Sequence, residues 1–477
     1  MNCGATASAP GCLEAWAEPG TGLGRPTYSV DPNGSGREPG NGNVNVQLGM
    51  TGWLRATRPL TDRIRLQMAT DPEQVAALVL RQFQRLPAKR RPQVRDNGLH
   101  EWVPLSGIVA ERDGVLTCLS LATGMKCLPA SKLPLAKGNA LHDWHAEILA
   151  IRAFNRYLLD ECNSHLQGAA SGFIRKREPS EISTDSPQPF AIKDDVKLHM
   201  YCSEAPCGDA SMELTMAAQD DASPWQVPDS ASASVPGAAD AESLPGRAYF
   251  SQLGVVRRKP ARGDAPPTTS KSCSDKLALK QCTSLLSSLV SLLVHPGNAY
   301  LATLVLPESQ HSAAACERSF SESGRLRALA GAQWHGGYGF FPFQVRTTAR
   351  EFDFSRRSVG TRAGAERIAA SNLAAAWTAS GVDEGTMGGV LQGRKAFDVR
   401  GASLVSRRRM WELAAALTGR LEGDGAELLR RAVDIETYAQ VKGGELLADR
   451  REAKRIARKE GLAGWVVNVG DDGFSRL

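Results

Sequence analysis

The chain has 477 residues, 42% of them hydrophobic and 23% charged, which excludes wholesale disorder and leaves apolar material for a sizeable core. Its longest nearly apolar run, Leu285 to Val294, contains three serines and is too short to cross a bilayer, and no basic head followed by an apolar stretch opens the chain, so neither a membrane span nor secretion is expected. A net charge of +6 permits a polyanionic partner without demanding one, and ten irregularly spaced cysteines read as free thiols or metal ligands, not a disulfide framework.

Residues 1–70 are rich in Gly, Pro and Asn and poor in apolar periodicity, so a flexible extension is expected. Order should begin at Asp71, where Pro72 to Phe83 carries apolar residues at helical spacing and Thr70 or Asp71 is placed to cap. Gly107 to Ala110, Leu116 to Leu121, Val196 to Cys202 and Tyr300 to Leu306 suit strands, and His145 to Leu159 suits a helix. Two polar stretches, 163–195 and 215–246, read as surface insertions within one domain spanning 71–477, since neither looks able to bury a core. Between Asp449 and Lys459, six Lys and Arg recur at helical spacing, as on a solvated helix face or an RNA-facing patch.

Two motifs carry chemistry. His142-Asp143-Trp144-His145-Ala146-Glu147 opens a helix, and Pro206-Cys207-Gly208-Asp209 follows a strand. Hydrolytic zinc sites use few protein ligands, so that one position stays open for water, with a carboxylate nearby to move protons. H-x-E followed by P-C supplies a ligand, His145, a proton shuttle, Glu147, and a thiolate, Cys207, at the start of another helix. A second Cys usually follows three residues after the first, but that position is Ala210. Two ligands make a weak site, so a third must lie elsewhere; Cys273, in Ser272-Cys273-Ser274-Asp275-Lys276, is the candidate. Asp143 is placed to orient this shell. Cys118, Cys127, Cys162, Cys202 and Cys282 are most simply core residues. A purely structural zinc site would have no use for Glu147.

HAE, then PCGDAS, then SCSDK resembles the deaminase domain shared by the tRNA-specific and the double-stranded RNA adenosine deaminases. Glu101 to Gly107, Leu121 to Pro129, Leu141 to Asn155 and Gly389 to Gly393 resemble the eukaryotic tRNA enzymes in particular. The resemblance implies an α/β, cytidine-deaminase-like mixed sheet flanked by helices and enlarged with C-terminal helices. It implies zinc held by His145, Cys207 and Cys273, with Glu147 moving protons, and conversion of adenosine to inosine 3′ to the anticodon of alanine tRNA. Lys126, in the family's substrate loop, is then expected near an RNA phosphate.

The related duplex-RNA editors bury inositol hexakisphosphate among Lys and Arg side chains. Arg152, Lys276, Arg407, Tyr438, Lys442, Lys454 and Trp465 match that pattern, whereas Ile151 and Leu279 stand where those editors have arginine and Arg450 where they have tyrosine. The alternative substrate is double-stranded RNA, but residues 1–70 lack the periodicity of a duplex-binding module. Deaminases of free nucleosides are generally shorter, and a non-catalytic RNA-binding scaffold would not need Glu147. No obligate protein partner is evident, and the expected compartment is cytoplasm, nucleus or both.

Overall fold

The structure, a computed structural model, describes residues 70–219, 244–245, 250–259, 265–362 and 367–476. Residues 1–69 of the expected extension, and 220–243 and 246 of the second expected insertion, lie outside the described residues. No helix among the described residues is long and apolar enough to cross a membrane.

The expected first helix forms as α1, Pro72–Gln84. Asp71 caps it by accepting from Glu73 N at 2.9 Å, and Pro72 sits where its missing N–H costs nothing. Strand β1 (His100–Trp102) then leads into the hairpin β2 (Leu105–Arg112) and β3 (Val115–Thr123), turned by Asp113-Gly114, both at positive φ. Helix α2 (Ala146–Leu166) lies across the hairpin, running beyond the expected Leu159. Short strands β4 (Ile174–Lys176) and β5 (Phe190–Ile192) follow, then β6 (Lys197–Cys202) and α3 (Met212–Ala217). Next come α4 (Cys273–Thr283), β7 (Val294–His295), β8 (Leu301–Pro307), α5 (Ala313–Phe320), β9 (Gln344–Thr348) and α6 (Arg356–Arg362). Strands β10 (Ile368–Ala370), β11 (Leu373–Thr378), β12 (Asp383–Met387) and β13 (Val390–Leu391) precede the last helices: α7 (Arg407–Thr418), α8 (Asp424–Val433), α9 (Tyr438–Gly443) and α10 (Ala448–Glu460).

The central sheet has eight strands in the order β9-β8-β6-β2-β3-β11-β12-β13. The pairs β9–β8 and β8–β6 are parallel and the rest antiparallel, so the expected mixed sheet is present. Both faces are covered. Along β6, Leu198, Met200 and Cys202 join the larger core under α2 and α4, while Tyr201 joins the smaller core beneath α1. The C-terminal helices close the larger core, with Trp411 fully buried and its Nε1 donating to Val433 O at 2.9 Å.

The segment 163–195 corrects the expectation of a surface insertion. Its start completes α2. Strands β4 and β5 pair with each other, β5 pairs with β7, and Ile174, Phe190 and Ile192 are buried in the main core. Arg177 makes this possible by donating to Ser186 O and Gln188 O, at 2.9 and 2.8 Å, so the polar loop's own carbonyls are satisfied.

Candidate metal-dependent active site

Both motifs lie at the ends of central elements. His145 is the N-cap of α2, which places Glu147 in its first turn, buried. The approach to His145 is fixed from the side by Gly124, whose φ of 139° brings it so close that a Cβ there would lie 2.1 Å from Trp144 O. Cys207 follows β6, and Cys273 is the first residue of α4.

PCGDA and SCSD dock on each other through backbone. Ser274 N donates to Cys207 O at 3.0 Å, Ser274 Oγ to Pro206 O at 2.8 Å, and Ala210 N to Ser274 Oγ at 3.0 Å. Gly208, at φ 104°, lets the strands of this junction touch: a Cβ there would lie 2.2 Å from Ser272 Oγ. Gly208→Ala should therefore destabilise the fold by about 2 kcal/mol or more and lower bound metal, as thermal melting and metal analysis would read. The acids of the motifs are structural. Asp209 accepts from Arg318 Nε (3.1 Å), Ser319 Oγ (3.0 Å) and Gly254 N (2.8 Å), and Asp275 accepts from Arg257 N (2.9 Å), Ser272 Oγ (2.6 Å) and Arg325 Nη1 (2.7 Å).

The two sulfurs meet. Cys273 N donates to Cys207 Sγ at 3.4 Å. A hydrogen bond from Cys273 holds the Cys207 thiol well below its usual range despite burial, while burial and that same bond push Cys273 up. Lys259 joins them to the histidine: its Nζ donates to Cys273 Sγ at 3.1 Å and to Asp143 Oδ2 at 2.9 Å. Asp143 Oδ1 in turn accepts from His145 N at 3.0 Å and pairs with His145 Nδ1 at 2.9 Å. Asp143 Oδ2 also takes Ser270 Oγ at 2.8 Å and the Lys276 ammonium. Burial works against the Asp143 charge, yet Lys259, Lys276 and His145 hold this carboxyl well below the usual carboxylate range. Burial, and then the charge on Cys207, push Glu147 up.

A metal ion has two ways to be read here. The ligand atoms of Cys127, Asp143 and His145 lie within 4.8 Å of one another. Cys127 is thus not a simple core thiol: it is half-buried, with its Sγ 3.7 Å from His145 Nδ1, because residues 126–128 pair with 142–144. Asp143, however, is already engaged on both oxygens by two ammonium groups, a hydroxyl and the imidazole. A carboxylate so occupied has little left for a metal. Thiols such as those of Cys207 and Cys273 suit a soft divalent ion, but among the described residues their sulfurs do not gather with His145 as the atoms of Cys127 and Asp143 do.

Lys259 has no counterpart in the sequence reading, since it belongs to neither motif and lies 116 residues from Asp143. Lys126 donates to Asn372, and its carbonyl accepts from Trp144 N at 3.0 Å, which sets it beside the approach to His145.

The basic residues form a second cluster, beneath the site. Lys276 keeps its ammonium on Asp143 and Ser270, on the side of the chemical motifs. Arg152 donates to Val405 O at 3.0 Å, and burial followed by the Arg407 charge lowers it to about 10. Arg407 pairs with Asp471 at 3.2 Å and Lys442 with Asp472 at 3.2 Å. Tyr438 stacks on Phe474, 5.2 Å between ring centroids, with Arg407 and Lys442 each 5.9 Å from its ring. Trp465 packs under Lys271 and Arg458 at 5.7 and 5.1 Å. Lys454 is held well below the usual lysine range by burial, then by Arg458, Arg450, Lys442 and Arg407. Lys280 is held likewise by burial, then by Arg450, Lys454 and Arg152. Lys280 follows Leu279, so a half-buried cation is present one residue after the position where the sequence lacks one.

The profile of the adenosine-deaminase (editase) domain matches residues 120–469. The chain belongs to that family. A Schizosaccharomyces pombe protein named tRNA-specific adenosine deaminase 1 is 34% identical over 83% of this chain and 95% of its own length. Proteins of the same name from Saccharomyces cerevisiae and Homo sapiens are 35% and 29% identical, over 49% and 50% of this chain and 59% and 47% of their own lengths. The expected resemblance is borne out, and the chain is an adenosine deaminase built on a mixed sheet flanked by helices.

Proposed function

We propose that this deaminase converts adenosine to inosine in tRNA, at the nucleotide 3′ to the anticodon of alanine tRNA, using zinc held by His145, Cys207 and Cys273. The observation that carries the reading is the wiring of two thiols to an imidazole through Lys259 and Asp143, with a buried Glu147 two residues after the imidazole. The names of the relatives support the tRNA substrate.

Bound zinc would supply a water acidic enough to ionise near neutral pH. Glu147, buried and pushed up, can take one proton from the attacking water and hand it to adenine N1, then take the second from the new C6 hydroxyl and give it to the amine, which leaves as ammonia. Asp143 fixes the imidazole ring from its far side and leaves the other ring nitrogen for the metal. An unpaired anticodon-loop base reaches such a pocket without duplex opening. Lys126, which flanks the approach to His145 and donates to Asn372, would meet an RNA phosphate there.

The lower cluster fits a polyanion. Lys280, Lys454 and Arg458 are half-buried with no carboxylate partner among the described residues, Lys280 donating only to the Leu285 and Leu286 carbonyls, and the buried Nε atoms of Arg450 and Arg458 lack hydrogen-bond partners there. So many like charges are prohibitive without a bound anion. Inositol hexakisphosphate would lie against Arg152, Lys276, Arg407, Tyr438, Lys442, Lys454 and Trp465, with Lys280 as a further cation.

The test is inosine formation by purified protein on transcribed alanine tRNA, read by sequencing across the anticodon loop. Conversion of the 3′ nucleotide alone is expected. No inosine at full zinc occupancy would sink the tRNA assignment, and product on duplex RNA instead would favour the alternative substrate.

A further inference from the structure

Two packed helices bring like charges together along one seam. α10 packs against α4, and Arg450, Lys454 and Arg458 recur on α10 every four residues, so they line one side of that helix beside the buried Ala453 and Ala457. At one end of the row, Arg458 lies 5.1 Å from the centre of the Trp465 ring. At the other end, cations from both helices meet on a single oxygen. Lys280 Nζ, from α4, donates to Leu286 O at 2.9 Å, and Arg450 Nη2, from α10, donates to the same oxygen at 2.8 Å. Lys280 Nζ also donates to Leu285 O at 3.0 Å. Neither side chain has a carboxylate within ion-pair distance among the described residues.

Two cations drawn onto one neutral carbonyl repel each other, and the carbonyl dipole offsets only part of that repulsion. The donors they leave over indicate what completes the arrangement. An ammonium has three N–H groups, of which Lys280 commits two to carbonyls; a guanidinium has five, of which Arg450 commits one to Leu286. The donors left over on both side chains flank one oxygen, a spacing that the oxygens of a single phosphate can bridge with charge-assisted hydrogen bonds. An anion enclosed as the chain folds needs no entry path, so the burial of Arg450 is no bar to the contact.

We propose that Lys280 and Arg450 together clamp one phosphate of the bound polyanion, with the Leu286 carbonyl setting their spacing. Arg450 is then a ligand although it lies outside the residues matched by resemblance, and the pair provides positive charge that Ile151 and Leu279 do not. The inference rests on the polyanion reading above.

The experiment uses the full chain purified from cells with its polyanion in place. Each protein is held in guanidinium below its unfolding midpoint, and the inositol phosphate released over time is separated from the protein and quantified. Lys280→Met and Arg450→Met should each release it about tenfold faster than the parent, the size of one hydrogen bond to a charged group. The double variant should be little faster than either single one, because the two cations share one phosphate. Arg455→Met, the same loss of charge on the exposed side of α10, should release at the parent's rate. Where a methionine variant fails to fold, Lys280→Gln or Arg450→Gln takes its place with the same expectation. Release from the position-280 and position-450 variants at the parent's rate overturns the inference and leaves the polyanion reading standing. A double variant that multiplies the two single effects places the cations on separate phosphates and overturns the shared clamp. A parent that carries no phosphorylated molecule overturns the polyanion reading itself, and the inference with it.

Discussion

Glu147→Ala should lower inosine formation about 10²–10⁴-fold while leaving bound zinc and the melting temperature essentially unchanged. The expectation follows from where the carboxylate sits. It is buried in the first turn of α2, close enough to the Cys207 sulfur for that charge to push it up, yet it belongs to neither the Cys207–Cys273 pair nor the Asp143–Lys259 network. Removing it deletes a proton carrier and no bond that holds the fold. A buried carboxyl raised by desolvation also costs stability where it stands, so its loss should not weaken folding. Zinc analysis and thermal melting on both proteins, beside the rate, separate this outcome from a collapsed site. A variant that lost its zinc along with its activity would show that Glu147 acts as a ligand or structural support.

The strands β2, β3 and β6, the helix α1 and the two chemical motifs were legible because each is local. Asp71 before Pro72 announces a helix start, and alternation from Val196 to Cys202 announces a strand. The HAE spacing fixes ligand and shuttle in one helical turn, and PCGD adds a thiol, without knowledge of the rest. Lys259 was not legible, since nothing in its neighbourhood marks it and its partner Asp143 lies 116 residues away. Cys127 looked like a core thiol for the same reason: only the pairing of residues 126–128 with 142–144 turns its sulfur toward His145. The segment 163–195 misled through composition. Its prolines and polar residues hide three apolar side chains, Ile174, Phe190 and Ile192, whose burial depends on Arg177 satisfying the loop's carbonyls. The basic cluster was legible only by resemblance, and even then Lys280 escaped notice beside Leu279.

Lys454→Met should reveal by its sign whether a polyanion completes the fold. With the anion in place, removing one cation from a buried, paired cluster should destabilise the protein by about 3–5 kcal/mol. Without it, Lys454 is a half-buried cation among Arg458, Arg450, Lys442 and Arg407, and methionine of similar reach should be neutral or stabilising. The pH dependence gives an independent reading. Lys280 and Lys454 are depressed in the folded, anion-free protein, so the unfolded chain binds more protons between that lowered range and the ordinary lysine value of about 10.4. Stability of an anion-free form must then rise with pH across that window, because folding there releases protons. A bound polyphosphate removes the depression and flattens the slope. Protein purified from cells, unfolded in acid and assayed for phosphate, should release about one equivalent of a polyphosphorylated small molecule, and its melting temperature should vary little with pH up to the lysine range. A steep rise together with a stabilising Lys454→Met would show that this chain tolerates its buried cations unpaired, leaving the polyanion no part in the fold.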